Sequence, residues 1–388
     1  MKRNRSTLVN IVACSVSVVL LVLLALQLEQ NAETPQEDDI VVGVTQSSIK
    51  IESTIYVDDI SLVHPAVNAY VRDTTGKKAK DVFSEYGGYA QSMRDGYPVK
   101  YAYFISGIPS GVTLEKAALE LGQNENFVGA TVYPFENGAN NLEIYHLLPG
   151  TTYYYRLNLT LSTGNVVGTI GSFTTEASPR FLSIDGIINV RDIGGWETAT
   201  GRRIKYGVLY RGSELDGGVE PSYLLTEAGR QDMILDLGIR FEMDLRAESD
   251  NKGDALGPNV VHKNYPVGQY SDVLTEGGGM VVRNVFADLA DPDNYPMYLH
   301  CTYGKDRTGT ICYLLEALLG VSDKDLRREY ELTTFTYGSV ASEDFAAFVT
   351  RIDVMEGSTT QEKVENYLLS IGVTPEEIES IRSIFLED

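Results

Sequence analysis

A cysteine and an arginine separated by five residues stand in the stretch Leu299-His300-Cys301-Thr302-Tyr303-Gly304-Lys305-Asp306-Arg307-Thr308-Gly309. An apolar run, Met297-Tyr298-Leu299, precedes it. Ile311, Leu314, Leu315, Leu318 and Leu319 follow at helical spacing, closed by Gly320. The pattern reads as strand, tight loop, helix. Such a loop points its backbone N–H groups inward as a nest for an oxyanion, and the helix N-terminus adds partial positive charge. A thiol placed there ionises readily; such sites bring a cysteine from about 8.5 down to roughly 3.5–7.5. Cys301 is therefore a candidate nucleophile. Arg307 offers a planar fork for two phosphate oxygens and charge that favours a transition state. His300 can fix the Cys301 backbone, Thr308 can hydrogen-bond the thiolate, and Gly304 and Gly309 permit the tight backbone. Thr302 and Tyr303 complete the loop wall.

A bare Cys-x5-Arg spacing is weak, but the full string His-Cys-x-x-Gly-Lys-Asp-Arg-Thr-Gly is specific. The competing phosphate loop Gly-x4-Gly-Lys-Ser/Thr fails, because its first glycine falls at Leu299 and Asp306 follows Lys305. At these residues the chain resembles the bacterial tyrosine-protein phosphatases with the Gly-Lys-Asp-Arg-Thr-Gly loop, which include secreted dual-specificity and phosphoinositide phosphatases. Further blocks match in order: Asn189-Val190-Arg191-Asp192-Ile193-Gly194-Gly195, Tyr210-Arg211-Gly212-Ser213-Glu214-Leu215, Met243-Asp244-Leu245-Arg246 and Leu319-Gly320-Val321-Ser322. The resemblance covers roughly residues 180–388. Tyr303 departs from it, since many members carry a small residue there, and this bears on pocket depth.

The resemblance implies a cysteine-dependent phosphatase that hydrolyses phosphate monoesters of phosphotyrosine and phosphoserine proteins through a phosphocysteine, without metal or cofactor. It also suggests Asp306 as general acid; a loop-bracing aspartate is the other reading. Lys305 reads either as a second phosphate contact or as a solvated loop lysine. Arg191 and Asp192 are candidates for the substrate-binding set, read mainly as braces under the loop. Arg246 reads as ordering nearby carboxylates. A phosphoinositide or small-molecule phosphatase is the alternative within the enzyme class; a catalytically silent surface binding protein is the alternative outside it. The intact Cys301, Asp306 and Arg307 speak against silence. A sulfur-transfer enzyme would not need the Asp-Arg-Thr-Gly ending.

The elements that must position this loop fall in an α/β cysteine-phosphatase domain, residues 179–388, with a mainly parallel sheet flanked by helices. Strands are expected at Val208–Tyr210, Phe241–Leu245, Val260–Tyr265 and Met297–Leu299, and a helix over Ser222–Leu237. Ser322, Thr359 and Thr374 open later helices as caps. Gly268–Gly279 reads as a mobile glycine-rich loop near the site, or as a surface connection. Residues 46–178 read as a β-sandwich. Its clearest hairpin, Thr152–Thr175, puts Tyr153, Tyr155, Leu157, Leu159 and Leu161 on one face, and Leu147-x-Pro149-Gly150-Thr151-x-Tyr153 resembles the fibronectin type III pattern before its tyrosine corner. Its tyrosines suit a sandwich core better than a carbohydrate- or wall-binding face.

The chain has 388 residues and a formal net charge of −22, which argues against nucleic acid as a partner and makes Lys305 and Arg307 a local positive island. Its three cysteines, Cys14, Cys301 and Cys312, imply no disulfide framework. His64, His146 and His262 lack metal-ligand spacing. Residues 1–28 carry Lys2, Arg3 and Arg5 before an uncharged apolar run, Leu8–Leu28, long enough to span a bilayer core of about 30 Å. This reads as a signal anchor in the cell membrane; a cleaved leader would leave a secreted protein. Residues 29–45 form an acidic tether. The positive flank places everything after it on the outer side. A reporter fused after Asp388 should therefore be active only outside the cytoplasm; activity confined to the cytoplasm would refute that topology.

Overall fold

The computed structural model describes residues 52–58, 60–88, 93–136, 138–177 and 179–388. The apolar run 8–28, the tether 29–45 and the residues up to 51 lie outside the described residues. Among those described, no helix is long and apolar enough to cross a membrane.

The first strands are β1 (Glu52–Asp58), β2 (Val99–Ser106), β3 (Leu114–Gly122), β4 (Thr131–Pro134), β5 (Asn141–Ile144), β6 (Thr152–Leu161) and β7 (Gly164–Thr174). They pair antiparallel in two sheets, β1-β2-β5 and β4-β3-β6-β7. Alternation decides which face is buried. Along β6, Tyr153, Tyr155, Leu157, Leu159 and Leu161 turn inward while their neighbours stay partly exposed. Tyr153, Tyr155, Leu157 and Leu159 meet Ile55, Tyr101 and Leu119 in one apolar core, so these tyrosines serve packing rather than display. The Tyr153 hydroxyl accepts the Leu148 N–H at 2.9 Å, tying β6 back to the segment before it.

The stretch read as wholly β contains two helices, α1 (Pro65–Arg72) and α2 (Ala79–Glu85). Pro65 suits the first helical turn, and the His64 ring accepts the Ala66 N–H at 3.1 Å as a cap. Their apolar faces leave the sandwich. Ala66, Val67, Tyr70, Val82 and Phe83 pack with Leu332 and Phe335 of the second half.

That half follows as β8 (Arg191–Asp192), β9 (Leu209–Gly212), α3 (Glu227–Gln231), β10 (Phe241–Asp244), β11 (Val261–Asn264), α4 (Glu276–Leu289), β12 (Met297–His300), α5 (Asp306–Leu319), α6 (Asp323–Glu331), α7 (Thr334–Tyr337), α8 (Ser342–Asp353), α9 (Thr360–Ser370) and α10 (Pro375–Phe385). The sheet order is β11-β10-β12-β9-β8, parallel except for β8. Helix α5 is buried along its whole length from Thr308 to Leu319, as an all-round apolar helix must be. Gly320 ends it in a left-handed conformation, and Ser322, Thr359 and Thr374 cap α6, α9 and α10 as their spacing indicates.

Two further expectations give way. The helix over Ser222–Leu237 begins only at Glu227, because the Thr226 side chain caps Gly229 N–H, and it widens into a π turn at Asp232–Asp236. Gly268–Gly279 is not a loop. A 3-10 turn, Tyr270–Leu274, runs into α4, with Thr275 capping Gly278; the glycines sit in the first turn, where Gly278 lies too close to the Asp272 carbonyl for a side chain.

Phe335 is fully buried, its ring 5.8 Å from Tyr70 and 6.4 Å from Phe83. Phe335→Ala should cost about 3–5 kcal/mol. Urea denaturation checks this, and a loss below about 1 kcal/mol would mean that α1 and α2 are not held by this cluster.

Candidate active site

The chain leaves β12 at His300 and enters α5 at Asp306, so the intervening loop sits at the carboxyl ends of the parallel strands, where open α/β sheets place their ligands. Gly304 adopts φ +61°, and any Cβ there would lie 2.2 Å from the Gly212 carbonyl, so the turn excludes other residues.

Cys301 lies buried at the centre of this turn. Burial alone would push its thiol up. The Arg307 charge, the Thr308 hydroxyl and the backbone N–H groups of Thr308 and Lys305 overcome that and bring it below its ordinary value. The Thr308 hydroxyl has no other partner. Arg307 is held loosely, with one nitrogen 3.4 Å from the Leu245 carbonyl, another 3.3 Å from the Thr302 hydroxyl and its buried Nε unpaired. Among the described residues no carboxylate pairs with it. Its fork is free for an anion in front of the thiol.

His300 is buried between Glu242, 3.0 Å from its Nε2, and the Cys301 carbonyl, 3.3 Å from its Nδ1. Burial opposes its charge, but Asp244 and Glu242 raise its pKa above the ordinary value. It therefore fixes the Cys301 backbone from behind. Cys312, at the end of the second turn of α5, is buried and pushed up to about 12, which makes it an inert packing residue.

Beneath the loop lies a network that short-range pattern could not reveal. Asn189 donates to the carbonyls of Tyr303 and Gly304 at 3.0 and 3.1 Å. Arg211 donates to the Gly304 carbonyl at 2.6 Å and to Glu329 at 2.7 Å. Arg191 donates to Glu329 at 2.8 Å and to Asn189 at 2.7 Å. Burial works against charge on Glu329, yet these two guanidiniums hold it below the usual carboxylate range; burial pushes neighbouring Glu316 far up, and neither of its oxygens has a partner among the described residues. Arg191 and Asp192, included among the substrate-binding candidates, thus face away from the open side. Arg191 is 1% exposed and engaged with Glu329, and Asp192 pairs with Arg180 at 3.0 Å and with the Gly194 and Gly207 N–H groups. Asn189 and Arg211 lay inside quoted motif blocks without a role; Glu329, on α6, carried no local signal at all.

Asp306 occupies the first turn of α5, half-buried. The Tyr270 hydroxyl donates to its Oδ1, and the Tyr330 hydroxyl lies 2.8 Å behind that of Tyr270. The other carboxylates near the sheet edge are occupied. Despite its burial, Asp244 is held below the usual range by His300 and Arg246; Asp288 binds Lys263 at 2.7 Å; Asp272 caps its own turn. Arg246 does gather carboxylates, meeting Glu214, Asp216 and Asp244 at 2.5–2.8 Å. Lys305 forms no ion pair with a described residue.

Tyr303, 39% exposed, stands between Tyr223 and Tyr337, each ring edge-to-face at 5.9 Å. The Tyr337 hydroxyl donates to the Tyr303 carbonyl at 2.8 Å and reaches that of Tyr223. Three tyrosines therefore form one side of the loop's mouth. Gly309, in the second turn of α5, has the Tyr330 ring 3.0 Å from where a Cβ would stand.

Residues 182–387 match a family model described as "Tyrosine phosphatase family". The chain belongs to that family. Its second half is thus a phosphoric monoester hydrolase domain. A Cupriavidus necator protein whose name assigns it provisionally to the tyrosine-protein phosphatases is 28% identical over 176 residues, covering 38% of this chain and 61% of the relative. The chain therefore spans about three-fifths of that relative's length. Among solved structures, the core catalytic domain of a PP-IP phosphatase from S. cerevisiae, in complex with citrate, is 16% identical with a TM-score of 0.29, covering 38% of this chain and 83% of that one.

The charge placed on Cys301 can be measured. Thr308→Ala removes a donor to the thiolate, so the pH midpoint for alkylation of Cys301 should rise by roughly 0.5–1 unit, the worth of one hydrogen bond. Arg307→Gln should raise it further. An unchanged midpoint in both variants would mean the loop does not stabilise the thiolate.

Proposed function

We propose that the protein is an exported, membrane-anchored phosphatase that hydrolyses aryl phosphate monoesters on proteins through a phosphocysteine. The observation that carries the reading is the Cys301 thiol, held low in the loop's nest of N–H groups with the unpaired fork of Arg307 in front of it. The Cys301 Sγ attacks phosphorus as the ester P–O bond breaks, and Asp306 gives its proton to the leaving oxygen. Water then attacks phosphorus, its proton passes to the Asp306 carboxylate, the P–S bond breaks and inorganic phosphate leaves. Because phosphoryl transfer is loose, charge stabilisation by Arg307 and the loop N–H groups dominates the rate. Tyr270 orients Asp306 for both proton transfers.

The tyrosine rim of Tyr223, Tyr303 and Tyr337 supports an aryl leaving group, since offset and edge-on ring contacts suit a phenol. Lys305, without an ionic partner among the described residues, favours a second reading, a substrate with another phosphate such as a phosphoinositide. The uncharged segment 8–28 with its basic flank supports the anchored, outward placement, and residues 46–178 supply a fibronectin III-like contact domain for the cell surface.

Cys301→Ser should abolish turnover while the fold survives, orthovanadate should inhibit the wild type, and EDTA should leave it unchanged. Asp306→Asn separates acid from brace. It should lose roughly 10²-fold or more in single-turnover release from phosphotyrosine, whose phenol has a pKa of about 10, and far less from an ester of a strongly acidic phenol. Equal losses on both would remove Asp306 from the acid role. Assays on phosphopeptides, phosphoinositides and small esters choose between the two substrate readings.

A further inference from the structure

A cleft of 1120 Å³ opens between the sandwich and the phosphatase half, outside the catalytic loop and next to its aromatic rim. Tyr223 lines it and also forms the loop's aromatic rim. Ile188 lines it too, and the next residue, Asn189, holds the loop carbonyls. The cleft therefore runs up to the mouth of the site. It exceeds the usual range of about 300–1,000 Å³ for small-molecule pockets, and so suits a length of chain better than a compact ligand.

Its lining names the chemistry of that chain. The sandwich contributes Glu143, with Tyr133 and Tyr145; the phosphatase half contributes Asp185, Asp232 and Asp236. The basic side chains here are Arg94, already beside Asp95 at 3.6 Å, and the His146 ring, whose nitrogens lie 3.4 Å from Asp236 and 3.0 Å from the Ser183 carbonyl. Negative charge is left over. Burial pushes the Asp232 carboxyl up, and Asp236 and Asp185 push it in the same direction while His146 opposes them. The carboxylates are too dispersed to converge on a metal ion: among the described residues no group of three His, Cys, Asp or Glu side chains gathers closely enough. Dispersed carboxylates in a wall that also holds tyrosines fit cationic side chains spaced along a backbone, which gain from ion pairing and from ring contact.

We infer that this cleft binds the lysine- or arginine-bearing segment flanking the phosphorylated residue of a protein substrate, so that the sandwich takes part in substrate selection. The inference rests on the protein-phosphatase reading above for its substrate, and its test separates the two. Phosphotyrosyl peptides of one length, flanked by lysine and arginine, by alanine or by glutamate, are compared by kcat/KM on the full chain. Binding of the same peptides to Cys301→Ser, with and without the phosphate, is followed by fluorescence anisotropy. Basic flanks should exceed neutral ones by about tenfold, and the double variant Glu143→Gln/Asp236→Asn should remove that preference while a small aryl phosphate is turned over within about twofold of wild type. Both positions are exposed and the changes keep side-chain shape, so the fold is not at stake. Glu343→Gln/Asp353→Asn, exposed changes on α8 outside the cleft lining, removes the same two negative charges elsewhere and controls for overall charge. Peptides cleaved without regard to flank, or a preference lost equally in the α8 control, overturn the cleft assignment and leave the phosphatase reading standing. Basic peptides bound through Glu143 and Asp236 but not dephosphorylated would keep the cleft and overturn the substrate reading.

Discussion

One carboxylate bears the weight of the catalytic loop. Glu329 lies between the guanidiniums of Arg191 and Arg211, and those arginines in turn hold Asn189 and the Gly304 carbonyl. A loop that offers N–H groups to an anion must turn its carbonyls the other way. Here those carbonyls meet buried donors: the Tyr303 carbonyl takes Asn189 and Tyr337, and that of Gly304 takes Asn189 and Arg211. Buried charges are tolerated only when paired and hydrogen-bonded, and breaking such a pair leaves an uncompensated charge in a low-dielectric interior. The arrangement therefore has little freedom to relax. In the proposed mechanism that rigidity keeps the nest shaped for a transition state without reorganisation.

The same economy separates structural from reactive charge. Arg191 and Arg211 share the Glu329 carboxylate and Arg246 meets three carboxylates, whereas among the described residues Arg307 has a carbonyl and a hydroxyl at long distance and no carboxylate. The two cysteines divide likewise. Cys301, at the positive end of α5, is drawn down, and Cys312, inside the same helix, is pushed up to about 12. Sequence chemistry is identical at the two positions; what differs is the direction in which nearby N–H groups and charges point.

The loop itself was legible because its parts are local. A nucleophile, a fork and a helix start lie within a few residues, and the strand before and the helix after announce themselves by apolar spacing. The same holds for the caps at Ser322, Thr359 and Thr374 and for the inward face of β6. Legibility ended where partners are distant in the chain. Glu329 reaches Arg191 across 138 residues, and Tyr270 reaches Asp306 across 36. Glycine content misled at Gly268–Gly279, because glycine in a first helical turn, admitted there by close backbone approach, looks like glycine in a loop. Alternation misled in the other direction. The strands on either side of α1 and α2 coloured the reading of a segment whose short apolar faces find their partners only in the phosphatase half.

Helix α6 joins these two scales. Its last four residues face three ways. Arg328 donates to the Asp73 carbonyl after α1, and Glu331 accepts the Tyr70 hydroxyl at 2.8 Å and the Ala79 N–H at 3.0 Å. Between them, Glu329 holds the loop from below and Tyr330 backs the tyrosine that holds Asp306. Residues three apart on a helix share a face, so positions 328 and 331 meet the amino-terminal helices while 329 and 330 point into the site. The docking of the first half is thus anchored on the turn of helix that positions both the oxyanion nest and the candidate acid. With Phe335 burying the apolar part of that docking surface, the sandwich and its two helices are mechanically part of the catalytic frame, and a substrate that touches the first half touches a body already fixed to the loop that would attack it.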